Sequence, residues 1–503
     1  MTAMPLFAST SRRSRAAGGL ALAALLAGCA VGPNYHRPSA PITPAFKEAA
    51  GWTASNPADG IDRGAWWSMF HDPTLDQLER RVAASNQTVK QYEAAYREAH
   101  AVVAEARASF FPTVTGSLNA QRSHNAAGST AVGGTSVGAG TGTVIGTGTG
   151  TTVATRATTN TAVGLVEASW VPDLWGKIRR TVESEKSLAQ ASAAELANAR
   201  LSAQAALAED YFELRVLDEQ AQLYCDTIAD YQKYLQLVTF QFKEGTQPLS
   251  AVITAQSQLY GAQAALISVG TTRAQMEHAI AVLTGAPPAE LDIPPAPLSR
   301  EVPVAPAGVP STLLQRRPDI AAAERQVSSA NAQIGVAISA YFPDLTLSGD
   351  YGGSAANLGN LFKLGATLWS LGADVSETLL DFGLRRAQVA AARAVYDEDV
   401  ANYRQTVLTA FQGVEDELAA LRVLQQQQAV LLQTEAAARQ AVQLDLAEYR
   451  EGTVDYTTVI TAQATLLSAS QNVLTVLQQR LQASVLLVED LGGGWSAGEL
   501  PKD

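Results

Sequence analysis

Residues able to carry chemistry are few in this sequence, and they are scattered along its whole length. The five histidines show neither the spacing of metal ligands nor that of a nucleophile and its base. They are His36, His71, His100, His124 and His278. Asp72, Asp76 and Glu79 follow at intervals of four and three, a pattern typical of the first turns of a helix, where the helix dipole favours acids. We therefore predict no catalytic residue, no metal site, no cofactor and no enzymatic activity.

The amino terminus predicts export and a lipid anchor. Arg12, Arg13 and Arg15 precede an apolar run at 18–28, which has the length of a signal-peptide core and is too short to span a bilayer. The run ends in Leu-Ala-Gly-Cys29, which resembles a bacterial lipobox, in which the cysteine is acylated and becomes the first residue. An ordinary signal peptide, or a twin-arginine signal built on Arg12 and Arg13, is the alternative. We predict Cys29 as the lipid (palmitate) attachment residue.

Composition favours long helices and argues against a nucleic-acid partner. The 503 residues are 47% hydrophobic with Ala- and Gln-rich stretches, and the formal net charge of −12 argues against nucleic acid. After residue 28 no apolar run has the length of a transmembrane helix. A membrane crossing would have to use strands.

The chain contains an internal duplication. "KEGTQPLSAVITAQ" at 243–256 and "REGTVDYTTVITAQ" at 450–463 lie 207 residues apart, and Trp175-Gly176 and Phe382-Gly383 share that offset. Each pair marks the same point of a repeat. Gly245 and Gly452 can adopt positive φ at the end of a long helix, and Thr246 and Thr453 can cap the next helix, so each EGT predicts a helical hairpin tip.

A third pair of motifs delimits the predicted strands. Phe-Pro occurs at 111–112 and 342–343, and the first copy then carries a Gly/Thr tract (128–152) that predicts an exposed loop and lacks a phosphate-binding Gly-Lys-Ser/Thr. The strand-like segments are rich in Thr, Val, Leu and Gly, and each has at least about the ten residues that a tilted membrane strand needs. They are 113–123, 159–170, 344–353 and 364–377. Four strands cannot close a barrel, so other subunits must complete it.

Between the strands and the tips the sequence has a heptad pattern. Apolar positions at intervals of four and three predict a coiled-coil helix from 177 to 242. They are Leu217, Ala221, Tyr224, Ile228, Tyr231, Leu235, Val238 and Phe242. Further long helices are predicted at about 249–285, 384–448 and 456–491.

These features resemble bacterial outer-membrane efflux proteins of the TolC type, in the lipoprotein branch that partners resistance-nodulation-division pumps. The resemblance rests on Cys29–Pro38, Trp66-Trp67 with Phe70–Leu75, Arg316–Gly349 and both EGT hairpins. It implies a mixed α and β membrane protein and a homotrimer. Four strands and the long helices of each chain would build a 12-stranded β-barrel continuous with a 12-helix periplasmic α-barrel.

The resemblance assigns roles to particular residues. The residues expected at the periplasmic hairpin tips and the aperture are Gly245, Thr246, Thr254, Tyr449, Gly452, Thr453, Asp455 and Thr461. The residues expected at the strand/helix junctions are Pro112, Trp175, Gly176, Pro343, Phe382 and Gly383. The family often carries an acidic residue where this chain has Thr254 and Thr461. We therefore expect no carboxylate ring at these two positions, and Asp455 is the nearest acidic candidate on the second hairpin.

The predicted domain organisation follows the two repeats. The segments are a signal peptide (1–28), a lipid-anchored extension (29–73), repeat 1 (74–285, strands within 113–170), a Pro-rich linker (286–310), repeat 2 (311–491, strands within 344–377) and a tail (492–503).

The predicted function is a passive exit duct in the outer membrane, with its helical barrel in the periplasm. An inner-membrane resistance-nodulation-division pump and a periplasmic adaptor would deliver drugs or toxic organic molecules to it. A type I protein secretion conduit is the closest alternative, and a surface adhesin or scaffold without a pore is a second one.

Overall fold

The structure is a computed structural model that describes residues 30–41, 43–49, 65–125, 157–303 and 316–501. The predicted signal peptide, Cys29 and the Gly/Thr tract at 128–152 lie outside the described residues. The described residues form two compact units. Of the described residues, those within 30–32, 104–182 and 335–389 belong to the sheet unit, and those within 33–103, 183–334 and 390–501 belong to the helical unit.

The sheet unit contains one antiparallel sheet of four strands in the order β1-β2-β3-β4. The strands are β1 (Thr113–Asn125), β2 (Ala157–Trp170), β3 (Asp344–Ala355) and β4 (Thr367–Ser376). Each repeat contributes one hairpin, as the sequence predicts. β4 begins at Thr367 rather than at 364, because Leu364–Ala366 forms a 3-10 turn. Pairing of β2 with β3 joins the two repeats into a single sheet.

Seven α-helices are present among the described residues. They are α1 (Pro73–Ser85), α2 (Gln87–Ala108), α3 (Lys177–Lys243), α4 (Leu249–Leu283), α5 (Pro318–Ser339), α6 (Leu384–Glu451) and α7 (Tyr456–Asp490). The four long helices end within three residues of the bounds that the heptad pattern predicts. Across the described residues, no helix is both long and apolar enough to cross a membrane.

The core of the helical unit confirms most of the predicted seam and corrects its end. Leu217, Tyr231 and Val238 are buried, whereas Phe242 is 39% exposed. The core near the end of α3 contains Val238 of α3 and Tyr449 of α6, and Phe242 is not part of it. Heptad spacing alone does not identify which residue of a helical end is covered.

The three carboxylates at the start of α1 have different environments. Asp72 is the N-cap: its Oδ1 accepts hydrogen bonds from the N–H of Thr74 (2.8 Å) and Leu75 (3.2 Å), and its Oδ2 accepts one from the Tyr211 hydroxyl (2.5 Å). Glu79 is fully buried, and neither of its carboxylate oxygens has a hydrogen-bond partner in the described part of the chain. Burial raises the pKa of Glu79 to about 9. Glu79 is therefore neutral at pH 7, and the expected role of a first-turn acid fits Asp72 and Asp76 but not Glu79.

Candidate channel surfaces and hairpin tips

One face of the sheet is apolar and exposed. Side chains alternate between the two faces of a strand, so residues aligned across the sheet share a face. Gly116, Val166, Tyr351 and Trp369 form one such row. The exposed apolar side chains on this face are Val114, Leu118, Val166, Trp170, Tyr351, Trp369, Leu371 and Val375. Their exposure, 80% for Leu371 and 70% for Trp369, means that the described part of the chain leaves this face without a cover.

The opposite face is polar and acidic. Its central row aligns Thr115, Glu167, Asp350 and Ser370, and the Ser370 hydroxyl donates to Asp350 Oδ2 at 2.6 Å. Glu167 and Asp350 stand directly opposite each other on β2 and β3. Like charges in that position destabilise a sheet unless water separates and screens them. Within the four described strands this face carries four carboxylates and no Lys or Arg.

The first strand/helix junction is tightly packed. Trp175 stacks on Phe342 with ring centroids 4.8 Å apart, and its Nε1–H donates to the Pro343 carbonyl at 2.7 Å. Gly176 follows with φ of +84°. The aromatic-Gly motif of repeat 1 thus contacts the Phe-Pro motif of repeat 2. Pro112 directly precedes β1, as Pro343 precedes β3.

At the second strand/helix junction the aromatic residue is exposed, and ion pairs and hydrogen bonds stabilise the turn. Phe382 is 93% exposed with φ of +51°, and Gly383 has φ of +93°. Asp381 accepts hydrogen bonds from Arg385 Nε (2.6 Å) and from the N–H of Gly383 (2.9 Å). The hydrogen bond from the Arg385 side chain, followed by those from the backbone N–H groups of Gly383 and Arg385, lowers the pKa of Asp381 to about 2. Arg385 also bonds Glu377 at 2.7 Å. The two junctions occupy the same repeat position but differ in physical character.

Both EGT segments form the turns between long helices. Gly245 and Gly452 have φ of +74° and +76°, in the left-handed region that glycine adopts without strain. The Thr246 hydroxyl donates to Gln241 O and the Thr453 hydroxyl to Glu448 O, both at 2.9 Å. These threonines were expected to cap the following helix, and that expectation is wrong. The last turns of α3 and α6 leave carbonyl oxygens unpaired, and the threonines satisfy them instead.

The following helices begin without side-chain caps. The N-cap positions of α4 and α7 are Pro248 and Asp455, and neither makes a side-chain cap hydrogen bond. The Asp455 side chain is exposed. Thr254 and Thr461 are exposed six residues further on, and their hydroxyls donate to Ser250 O (2.9 Å) and Thr457 O (2.8 Å).

The two hairpins pack against each other near their tips. Tyr449 of α6 is buried, lies 5.6 Å from the Tyr456 ring and bonds through its hydroxyl to Gln241 of α3. The surrounding apolar side chains are Val238, Val252, Ala255, Val459 and Ile460. Burial raises the pKa of Tyr449, and it raises that of Tyr456 to about 12. Gln241 was not predicted: its counterpart in repeat 2 is Glu448, so comparing the repeats gives no signal for it.

A group of carboxylates lies where α3, α6 and α7 approach one another. Burial, followed by the charge of Glu489, raises the pKa of Glu209 to about 7. Burial, followed by the charge of Asp490, raises that of Glu417 to about 7. Asp490 is paired with Arg317 at 2.7 Å. Among the described residues, no group of three or more His, Cys, Asp or Glu has the arrangement of a metal site.

The sheet, the long helices and the paired hairpins are those of an outer-membrane efflux channel. Residues 78–286 and 309–493 match the profile of the family described as outer membrane efflux protein, and the chain belongs to that family. It is therefore an outer-membrane component of an efflux system, as the sequence predicts.

Proteins similar to this chain match it over nearly its whole length. The solvent efflux pump outer membrane protein SrpC of Pseudomonas putida is 30% identical, covering 94% of this chain and 97% of its own. Outer membrane protein OprJ of Pseudomonas aeruginosa is 27% identical over 95% of this chain and 96% of its own. The outer-membrane channel OprN has a TM-score of 0.81 at 28% identity and covers 93% of this chain and 100% of its own. The Campylobacter jejuni CmeC channel, at 21% identity and a TM-score of 0.85, supports the fold over 94% and 96% of the two chains.

Proposed function

We propose that three copies of this chain form a lipid-anchored duct that releases small molecules across the outer membrane. The single observation that carries the proposal is the two-faced sheet. An exposed apolar face next to a polar, acidic face suits a wall with lipid on one side and water on the other. Four strands leave two edges unpaired, and three sheets side by side would pair them in a closed twelve-stranded barrel.

The energy for export comes from partners in this proposal. A periplasmic adaptor and an inner-membrane resistance-nodulation-division pump supply substrate to the helical end, where the tips at Gly245 and Gly452 face the adaptor and the exposed Thr254 and Thr461 line the aperture. The chain itself performs no reaction. Its acylated Cys29 holds it at the membrane.

The names of the relatives favour small molecules over polypeptides as cargo. They describe efflux of solvent and toluene, export of pyoverdine, and a cation efflux system. A type I protein secretion conduit remains the alternative, and transport of a folded or unfolded polypeptide in place of organic solutes would favour it.

The experiment compares two adjacent residues of β1 that lie on opposite faces. In a Cys225→Ser chain, Thr115→Cys and Val114→Cys are placed separately, and trimers are reconstituted in a planar bilayer. A water-soluble methanethiosulfonate should lower conductance in the Thr115→Cys channel and leave the Val114→Cys channel unchanged. Equal modification of both, or modification of Val114→Cys alone, would overturn the assignment of the faces and with it the duct.

A further inference from the structure

The segment Ala30–Gly32 lies against the first turn of α3. The Val31 N–H donates to the Trp175 carbonyl at 3.0 Å. Arg180 Nε donates to the Val31 carbonyl and Arg180 Nη2 to the Gly32 carbonyl, both at 3.3 Å. Arg180 is only 4% exposed. A buried guanidinium is thus directed at two successive backbone carbonyls of this segment, which is recognition of the main chain rather than of particular side chains.

Three glycines allow a close backbone approach at this place. A Cβ on Gly176 would lie 2.6 Å from Ala30 Cα, and a Cβ on Gly32 would lie 2.5 Å from Gly335 Cα. A Cβ on Gly335 would meet the Val31 carbonyl oxygen at 3.0 Å and Arg180 Cγ at 2.9 Å. Any side chain at these positions would displace the segment or its site.

Gly335 is the most informative of these residues. Its φ is not in the left-handed region, and it lies inside α5, where glycine weakens a helix relative to alanine. The backbone conformation therefore does not call for glycine. Glycine is needed at 335 because Gly32 and Val31 approach the surface of α5 so closely that a Cβ would not fit between them.

We propose that Trp175, Gly176, Arg180 and Gly335 form an intramolecular binding site for Ala30–Gly32 that fixes the amino-terminal attachment point of the lipid beside the first strand/helix junction. The site is rigid because Trp175 is itself held by Phe342 and Pro343. The consequence for the lipid rests on the acylation of Cys29 in the proposed function, whereas the docking of Ala30–Gly32 does not.

The test uses the mobility of a nitroxide at residue 31. Val31→Cys is introduced into the full-length Cys225→Ser chain, and the protein is purified as a trimer and labelled. Acylated Cys29 has no free thiol to react with the label. The Cys225→Ser chain without Val31→Cys should therefore remain unlabelled. The docked segment should give a slow spectrum. Gly335→Val and Arg180→Met should each release it, shortening the rotational correlation time about tenfold, to that of a free terminus.

Gly261→Val is the matched control. Gly261 also lies inside a long helix, α4, but no atom of the described residues lies within 4 Å of its added Cβ, so the same substitution should leave the slow spectrum unchanged. If Gly335→Val prevents trimer formation, Gly335→Ala and Arg180→Met carry the test. A fast spectrum in the parent chain, or a slow one in every folded Gly335 and Arg180 variant, overturns the site. A slow spectrum in trimers that do not conduct would refute the duct and leave the binding site intact.

Discussion

Glu417 offers a quantitative test of the carboxylate group between α3, α6 and α7. Its pKa is raised from 4.5 to about 7, chiefly by burial and then by the nearby Asp490, with Asp416 and Glu209 adding repulsion. The folded state therefore holds this proton more tightly than the unfolded state. The contribution that the protonated Glu417 makes to the free energy of unfolding is fully present below about pH 4.5. That contribution is lost as the pH rises through about 7.

The size of the effect depends on the difference between the two pKa values. A shift from 4.5 to about 7 corresponds to about 3 kcal/mol if the carboxyl were fully shielded. Glu417 is only half-buried, so water screens part of the repulsion, and we expect about 1–2 kcal/mol at pH 8. Glu417→Gln removes the charge and keeps the side-chain size, so it should raise the stability at pH 8 by that amount and have little effect at pH 5.

The assay is thermal unfolding of the detergent-solubilised trimer, followed by circular dichroism at 222 nm, between pH 5 and 8.5. The unfolding temperature of the parent chain should fall across this range, and Glu417→Gln should reduce the fall. Glu93→Gln removes an equal charge from an exposed position of α2 and should keep the parent slope. Equal slopes for Glu417→Gln and Glu93→Gln, or no fall in the parent, would refute the reasoning.

Three further predictions concern the tips and the anchor. Thr461→Asp should place three like charges near the trimer axis. In planar bilayers it should raise the cation selectivity of the channel and its block by multivalent cations from the periplasmic side, whereas the control Gln433→Asp should change neither. If Thr461→Asp also changes neither, Thr461 does not line the aperture. Tyr449→Phe should remove the link to Gln241 and lower the stability by about 1 kcal/mol, measured by thermal unfolding, with Thr457→Ser as a control on an exposed site. Cys29→Ser should abolish labelling by a fatty-acid analogue, and persistent labelling would disprove acylation at that residue.

The duplication made most of the fold predictable from the sequence. An offset of 207 residues located both turns, because Gly245 and Gly452 stand where the chain needs a positive φ, which glycine adopts without strain. Strand composition located the hairpins, although it could not give the β2–β3 register that aligns Glu167 with Asp350. Side-chain partners were less predictable. Each threonine hydroxyl could either donate to an unpaired carbonyl of the preceding helix or accept from an unpaired N–H of the following helix, and the sequence does not say which it does.

Contacts between the repeats were the least predictable part of the site. The Gln241–Tyr449 bond joins positions that are not equivalent in the duplication, and Glu79 is buried although its spacing matches that of a surface acid. Both depend on which elements surround a residue after folding. Heptad spacing and dipole preference describe a helix by itself and contain no information about those neighbours.

The acidic face of the sheet bears on how a wide passage treats its cargo. Fixed carboxylates without neighbouring Lys or Arg on that face of the described strands attract a layer of mobile counterions and repel anions, as in a Donnan equilibrium. At physiological salt this layer is about 8 Å deep. A solute that travels near the axis is hardly affected, while one that touches the wall is sorted by its charge. In the proposed trimer, the wall would therefore discriminate between molecules according to their size as well as their sign, since only those large enough to reach it experience its field.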